Sequence, residues 1–267
     1  MDFALPHSWP LVVFGGFVVG LLVGLTGVGA GSLTTPFLIS AVGINPLVAV
    51  GTDLLFACIT KSSAAFRHFR LNNVDVRIVG WLSAGSLPAA TAVFLWLAWS
   101  GQDTAVLGKY IRQMLAVALL FSAGAIAIYP IAANARKAAA RDDDGRETTH
   151  RPLLTVLLGL VLGTAVALTS VGAGAIGVVA LTMLYPRLLI RRLVGTDIVH
   201  AIPLTLVAGL AHLRLGNVDP GLLATLLAGS IPGIAIGSRL TGQLPDWALR
   251  AALAAMLCLA AAAVIWK

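Results

Sequence analysis

The sequence predicts an all-α integral membrane protein, a polytopic helical bundle of two homologous repeats, and three observations predict it. First, the 267 residues are 58% hydrophobic and only 11% charged, with mean hydropathy +0.94. A soluble domain is roughly 45–50% apolar with glycine counted, and roughly 25% charged. Second, the apolar residues gather into ten runs separated by short polar loops. Third, the motifs of the first five runs return in order in the second five. These features exclude a disordered chain, a disulfide scaffold and an ordinary cytosolic enzyme.

The runs fall at 11–26, 32–43, 47–66, 76–99 and 109–130, then at 152–169, 174–185, 190–211, 219–240 and 246–266. A bilayer core about 30 Å thick needs about 20 apolar residues to cross. The runs 32–43 and 174–185 are too short for that and are expected as half-helices or re-entrant segments. Eight full spans and two short segments result, eight to ten transmembrane segments in all. The third run starts at Asn45-Pro46, which reads as an N-cap followed by the favoured first helical residue. Asp75 and Asp219 read as N-caps of the fourth and ninth runs, with Pro220 directly behind Asp219. Residues 1–131 form the first transmembrane repeat, 132–151 a charged cytoplasmic linker and 152–267 the second repeat.

The duplication is written in four motifs. Leu25-Thr26-Gly27-Val28-Gly29-Ala30-Gly31 returns as Leu168-Thr169-Ser170-Val171-Gly172-Ala173-Gly174. Gly51-Thr52-Asp53 returns as Gly195-Thr196-Asp197. His68-x-Arg70-Leu71-x-Asn73-Val74-Asp75 returns as His212-x-Arg214-Leu215-x-Asn217-Val218-Asp219. Gly85-Ser86-Leu87-Pro88 returns as Gly229-Ser230-Ile231-Pro232. The offset is 143 for the first pair and 144 for the rest.

The net charge of +7 sets orientation and gives no reason to invoke nucleic acid, because Arg and Lys sit in short loops. With the N-terminus outside and ten crossings, Arg67, Arg70, Arg77, the five basic linker residues, Arg187, Arg191, Arg192, Arg239 and Arg250 face inside. Only Lys109, Arg112, Arg214 and Lys267 face outside. Five segments per half then make an inverted repeat, the architecture of many secondary transporters. Re-entrant short runs, with four spans per half, would instead make the repeats parallel. Met1-Asp2 opens without a basic n-region, so the first run does not read as a cleaved signal. Cys58 and Cys258 lie within apolar runs and suggest neither a disulfide nor a metal site.

Candidate chemistry begins at the glycines. Each glycine inside a helix costs about 0.8–1.0 kcal/mol against alanine. Gly27-x-Gly29-x-Gly31 therefore points to an unwound stretch between half-helices, where a ligand meets bare backbone. The second break, at Gly172-x-Gly174 with Thr169 and Ser170 beside it, occupies the corresponding place, which is the sequence signature of a midplane site. Close helix packing through small residues is the alternative. The substrate-binding set is Thr26, Gly27, Gly29, Gly31, Ser32, Thr52, Thr169, Ser170, Gly172, Gly174 and Thr196.

Asp53 and Asp197 lie about 10 Å along their helices, and an ionisable group at such depth is a functional hypothesis by default. A carboxylate repels an anionic substrate, so proton coupling or gating suits both better than ligation. A buried Asp bonded to the backbone of the glycine break is the structural alternative. Lys61 and His200 have no counterpart, since Thr205 and Phe56 stand in their places. Lys61 is open to three roles: an indirect partner for Asp53, a contact for an anion, or snorkelling to the inside face, of which snorkelling is the simplest. His200 sits one turn from Asp197 and reads as a gating residue or a hydrogen-bonded structural histidine. His68, Arg70, His212 and Arg214 serve either to attract anions or to anchor the membrane surface. Trp81, Trp96, Trp99, Trp247 and Trp266 sit near segment ends, as an aromatic belt does. No HExxH, GxSxG or paired-histidine helix face is present, so no enzyme site is expected, and neither is a cofactor or metal.

Two half-repeats, each with a glycine break, then Gly-Thr-Asp, then a basic-Asn-x-Asp loop and a Gly-Ser-x-Pro span, resemble the TauE/SafE sulfite exporter family, also called the toluene sulfonate uptake permeases. The resemblance covers nearly the whole chain and reaches Gly27, Gly29, Gly31, Thr52, Asp53, Gly172, Gly174, Thr196 and Asp197. The second half departs by placing Ser170 where Gly27 stands. The resemblance implies bacterial inner-membrane transport of sulfite, sulfoacetate, thiosulfate or related organosulfonates.

Energetics adds a direction. One charge crossing 100 mV is worth about 2.3 kcal/mol, so a dianion leaving a negative interior gains roughly 4.6 kcal/mol. The expected function is therefore export of a small sulfur-containing anion by alternating access. An anion channel and a proton-coupled uptake permease are the alternatives, and a membrane scaffold or lipid-modifying enzyme is a third class without a supporting motif. The expected partners are the anionic substrate, membrane lipid and a second copy of the chain in a homodimer, with no nucleic acid.

Overall fold

Ten α-helices follow one another in a computed structural model that describes residues 9–26, 31–99, 104–141, 150–240 and 245–266. They are α1 (Trp9–Thr26), α2 (Gly31–Phe37), α3 (Pro46–Arg70), α4 (Val76–Trp99), α5 (Thr104–Arg141), α6 (Pro152–Thr169), α7 (Ala175–Leu184), α8 (Ile190–Arg214), α9 (Pro220–Leu240) and α10 (Asp246–Trp266). A single π-turn, Leu38–Val42, continues α2. The described residues contain no strand. Seven helices are long and apolar enough to cross a membrane; the apolar stretches Trp9–Leu25, Gly31–Val42 and Ala175–Leu184 are shorter. The protein is thus an all-α multi-pass membrane protein.

The helix starts follow their caps. Leu47 N–H donates to Asn45 Oδ1 at 2.9 Å. Asp75 Oδ1 accepts from Arg77 N–H at 3.1 Å and Ile78 N–H at 3.3 Å, and Asp219 Oδ1 accepts from Gly221 and Leu222 at 2.8 and 3.0 Å. Such caps satisfy the orphan donors of a first turn. The stretch beginning at residue 132 differs from expectation, because α5 runs on to Arg141. Ala132-Ala133-Asn134-Ala135-Arg136-Lys137-Ala138-Ala139-Ala140 is rich in the strongest helix formers, so polarity here does not end the helix. Residues 142–149 of that stretch lie outside the described residues.

The two halves pack as copies of each other. α1 lies along α9 and α4 along α6, while α3 meets α8 and α5 meets α10. Exchanging α1–α5 for α6–α10 maps this set of pairs onto itself. Glycine rows make the first two contacts close. Gly16, Gly20 and Gly24 of α1 meet the backbone of Leu226, Ser230 and Ile234, and Gly229, Gly233 and Gly237 return the contact on Val13, Phe17 and Leu21. Gly159 and Gly163 of α6 meet Leu82 and Ser86 in the same way. Numbers rise together along both pairs, so these helices run parallel. Much of the glycine content therefore serves close packing, as small residues do in membranes.

The central pair runs the other way. Gly51, early in α3, meets His212 and Asn217 at the far end of α8; Leu55 meets Gly209, and Cys58 meets Ile202. Gly195, early in α8, meets His68 and Asn73 beyond the end of α3. Equivalent helices of the two halves are thus antiparallel, which fits an inverted repeat. Phe56, Leu119, Leu226 and Leu257 belong to the buried core, whereas Phe14, Phe121, Leu153 and Leu259 point outward, as lipid-facing side chains do. Trp99, Trp247 and Trp266 are exposed at helix ends.

Candidate functional site

The second glycine break is an interrupted helix. α6 stops at Thr169, and Ser170 adopts a left-handed conformation with φ 59°. Gly172 and Gly174 follow with φ 130° and 127°, values that side chains with a Cβ rarely adopt, before α7 begins at Ala175. Thr169 Oγ1 stabilises this bend by donating to Ala165 O at 2.7 Å and accepting from Val171 N–H at 3.1 Å. In the first half, α1 ends at Thr26 and α2 begins at Gly31. Gly27 and Gly29 lie outside the described residues, as does the side chain of Thr26.

The start of α2 meets the second break. Gly31 stands against Ser170 O so closely that a Cβ there would collide with it. Asp53 reaches the same place from α3 and is fully buried; Thr35 Oγ1 donates to its Oδ2 at 2.5 Å, and the hydroxyls of Ser170 and Thr34 also face it. Asp197 of α8 is equally buried and lies against the start of α7, with its Oδ1 beside Gly177 and neither carboxylate oxygen in a hydrogen bond among the described residues. Asp53 is therefore faced by α2 of its own half and by Ser170 of the opposite half's break, while Asp197 lies against the break of its own half. Thr34 and Gly177 are equivalent at the offset of 143, so hydroxyls face Asp53 where bare backbone faces Asp197.

Lys61 overturns the snorkelling expectation. It is buried, and its Nζ donates to Ala173 O at 3.1 Å, inside the break of the opposite half. Both Asp197 and Asp53 act on it through space. Its counterpart Thr205 donates to its own helix, to Ala201 O at 2.8 Å. His200 is also buried, with Nε2 at 2.8 Å from Ser86 Oγ of α4. His212 is buried as well, with Nε2 at 3.1 Å from Ala167 O, so it is no surface anchor. Arg70 does sit outside, its guanidinium over the Phe66 ring.

Thr52 and Thr196 are placed elsewhere than the breaks. Thr52 Oγ1 accepts from Asp219 N–H at 3.1 Å, and Thr196 Oγ1 accepts from Asp75 N–H at 2.9 Å while donating to Arg192 O at 2.6 Å. Each Gly-Thr pair thus latches onto the Asn-x-Asp loop of the other half. Arg192 adds an ion pair to Asp75 at 3.5 Å, and Val48 occupies its equivalent place in the first half. Ser32, Thr169 and Ser170 remain buried at the breaks.

Sequence reasoning missed Thr35 as the partner of Asp53, Ser86 as the partner of His200 and the Ala173 carbonyl as the partner of Lys61. Thr35 follows the first break, and Ser86 lies in the repeated Gly-Ser-x-Pro motif, so both were marked by position. The Ala173 carbonyl carries no sequence signal. Among the described residues, no group of three or more His, Cys, Asp or Glu is placed to hold a metal ion.

Known proteins share this plan. The chain is 35% identical over 250 residues to a Bacillus subtilis protein named "Probable membrane transporter protein YjnA", covering 92% of this chain and 95% of that one. It is 25% identical over 243 residues to B. subtilis "Probable membrane transporter protein YdhB", covering 91% and 94%. A Methanocaldococcus jannaschii protein of the same description is 28% identical over 220 residues, covering 79% of this chain and 74% of that one. No solved structure matches the chain. Residues 12–264 match the family described as "Sulfite exporter TauE/SafE". With helix breaks, repeats and whole-length similarity in agreement, the chain belongs to the TauE/SafE family of membrane transporters.

Proposed function

We propose that this transporter exports a small sulfur-containing anion, sulfite, sulfoacetate or a related organosulfonate, across the bacterial inner membrane by alternating access. One observation carries the proposal: the start of α2 in the first half abuts the helix break of the second at the buried centre, among the hydroxyls of Ser32, Thr34, Thr35 and Ser170. Unwound backbone at membrane depth is tolerated where protein or a cavity replaces water, and such breaks are where transporters bind substrate. The family's description as sulfite exporters supports the choice of a sulfur oxyanion. Export down the membrane potential requires no coupling ion.

Asp53 and Asp197 are assigned to gating in this scheme, because Asp53 faces hydroxyls of both halves and Asp197 lies against the second break. His200 couples α8 to α4 through Ser86, and Thr52 and Thr196 act at the contact between halves. A thermal-shift screen of the purified protein against sulfite, sulfoacetate, thiosulfate, taurine and carboxylate analogues tests the substrate class, followed by flux into proteoliposomes. Concentration-dependent stabilisation by a sulfur anion and saturable flux are expected. Stabilisation by none of them would overturn the substrate class, and a conductance that never saturates would make the protein a channel.

A further inference from the structure

We infer that Lys61 is the counter-charge of the transported anion. This rests on the anion-export assignment above and specifies how that site recognises charge. An anion entering a buried site needs positive charge to replace its lost hydration. Half-helix N-termini are one source, but here α7 presents its first turn to Asp197, with Gly177 against the carboxylate. On the other side, Thr35 is committed to Asp53. Two buried carboxylates, Asp53 and Asp197, therefore face the start of α2 and the second break, and their negative charge opposes an anion unless a cation stands beside it.

Lys61 is differently placed. It is the one buried Lys or Arg among the described residues. Its ammonium is not locked in a contact ion pair: among the described residues, no carboxylate oxygen lies within 4.0 Å of it, and its hydrogen bond goes to the neutral carbonyl of Ala173. An ammonium has three donors, of which Ala173 takes one. The Nζ stands at the second break, one residue from both Gly172 and Gly174, and it comes from α3 of the first half. A sulfonate or sulfite oxygen arriving between the halves can take a remaining donor or replace the carbonyl. Either exchange trades a neutral partner for a charged one, and charge-assisted hydrogen bonds are roughly twice as strong as neutral ones. Because Thr205 stands in the equivalent place, the site holds one such cation, not two.

The test uses the full chain purified in detergent, with sulfoacetate and methanesulfonate as probes, read by thermal shift and calorimetry. Lys61→Gln keeps a donor for Ala173 O and removes the charge; Lys61→Arg keeps the charge; Lys61→Met removes both. At least tenfold weaker binding in Lys61→Gln, with Lys61→Arg within a few-fold of wild type, is the expected result. Lys61→Gln binding within twofold of wild type would overturn the assignment. Equal loss in Lys61→Gln and Lys61→Arg would also overturn it, by making the brace to Ala173 the essential part. Should Lys61→Met fail to fold, the Gln and Arg variants carry the comparison alone. A wild-type protein that binds no sulfur anion refutes the anion assignment itself, whereas binding unaltered by Lys61→Gln refutes only the role of Lys61.

Discussion

The latch between halves is open to a quantitative test at Thr196. Its Oγ1 accepts the Asp75 N–H at 2.9 Å in a buried setting, where water cannot substitute for the lost acceptor. Thr196→Val preserves shape and removes that acceptor. Leaving a buried donor unsatisfied costs about 1–3 kcal/mol. At roughly 2–4 °C per kcal/mol for a chain approaching this size, the melting temperature should fall by about 2–12 °C. Thr52→Val removes the acceptor of Asp219 N–H at the other end of α3 and should cost a similar amount. The two latches lie roughly 27 Å apart along the helix, well beyond the 7–10 Å within which mutations couple, so their effects should add. Thr196→Ser retains the hydroxyl and should melt close to wild type. The assay is tryptophan fluorescence during heating in one detergent at one protein concentration. Valine variants that melt with wild type, or serine variants that melt as low as valine, would show that the hydroxyls do not hold the halves together.

Three further outcomes are expected. Gly172→Val places a β-branched residue at φ 130°, a conformation costing about 1–3 kcal/mol even where tolerated; it should lower the melting temperature and abolish anion-dependent stabilisation, and retained binding would reduce the second break to packing. Gly177→Ala drives a methyl into the Asp197 carboxylate and should destabilise by about 1–3 kcal/mol, with part recovered in Gly177→Ala/Asp197→Ala; simple additivity of the two changes would refute the contact. Asp53→Asn separates uncoupled export from proton-coupled uptake. Flux with an unchanged pH profile is expected for uncoupled export, and a flattened profile in proteoliposomes would make Asp53 the proton carrier.

Helix bounds were readable because they depend on local chemistry. Runs such as 76–99 and 152–169 coincide with α4 and α6, since the Asp75 cap, the proline that opens α6 and the loss of apolar residues act within a few positions. The second break was readable for the same reason: the alternate residues Ser170, Gly172 and Gly174 leave helical geometry there. The partners of the buried polar groups were not. Lys61 was read against its own helix, where snorkelling is the natural answer, but its acceptor lies 112 residues away on another half. Separations of 167 and 121 residues hid the destinations of Thr52 and Thr196. The Gly-Thr-Asp motif looked like one functional unit, yet its side chains diverge: the threonine faces the opposite loop while the aspartate next to it faces the break. Adjacent positions on a helix point about 100° apart, so a contiguous motif need not serve one site.

Helix directions bear on the parity that segment counting left open. α1 runs parallel to α9, and α8 runs antiparallel to α3. α9 turns back from α8 across a short turn closed by Asn217 N–H on His212 O at 2.9 Å. α1 and α3 therefore point the same way, so α2 and its π-turn must bring the chain back to the face where α1 began. Whether α1 and α2 both cross or together form one re-entrant hairpin, they contribute an even number of crossings. α3, α4 and α5 then leave each half odd, and an odd half followed by its copy fits inversion. The parallel alternative required α1 to cross and α2 not to, which would start α3 on the opposite face. Antiparallel α3 and α8 also carry the same latch to opposite ends of the pair, and the ends are unequal. Asp75 is held by Thr196 and Arg192 together, whereas Asp219 has Thr52 alone with Val48 where the arginine would be. A duplicated fold has in this way acquired two latches of different strength, with the buried Lys61 between them along α3.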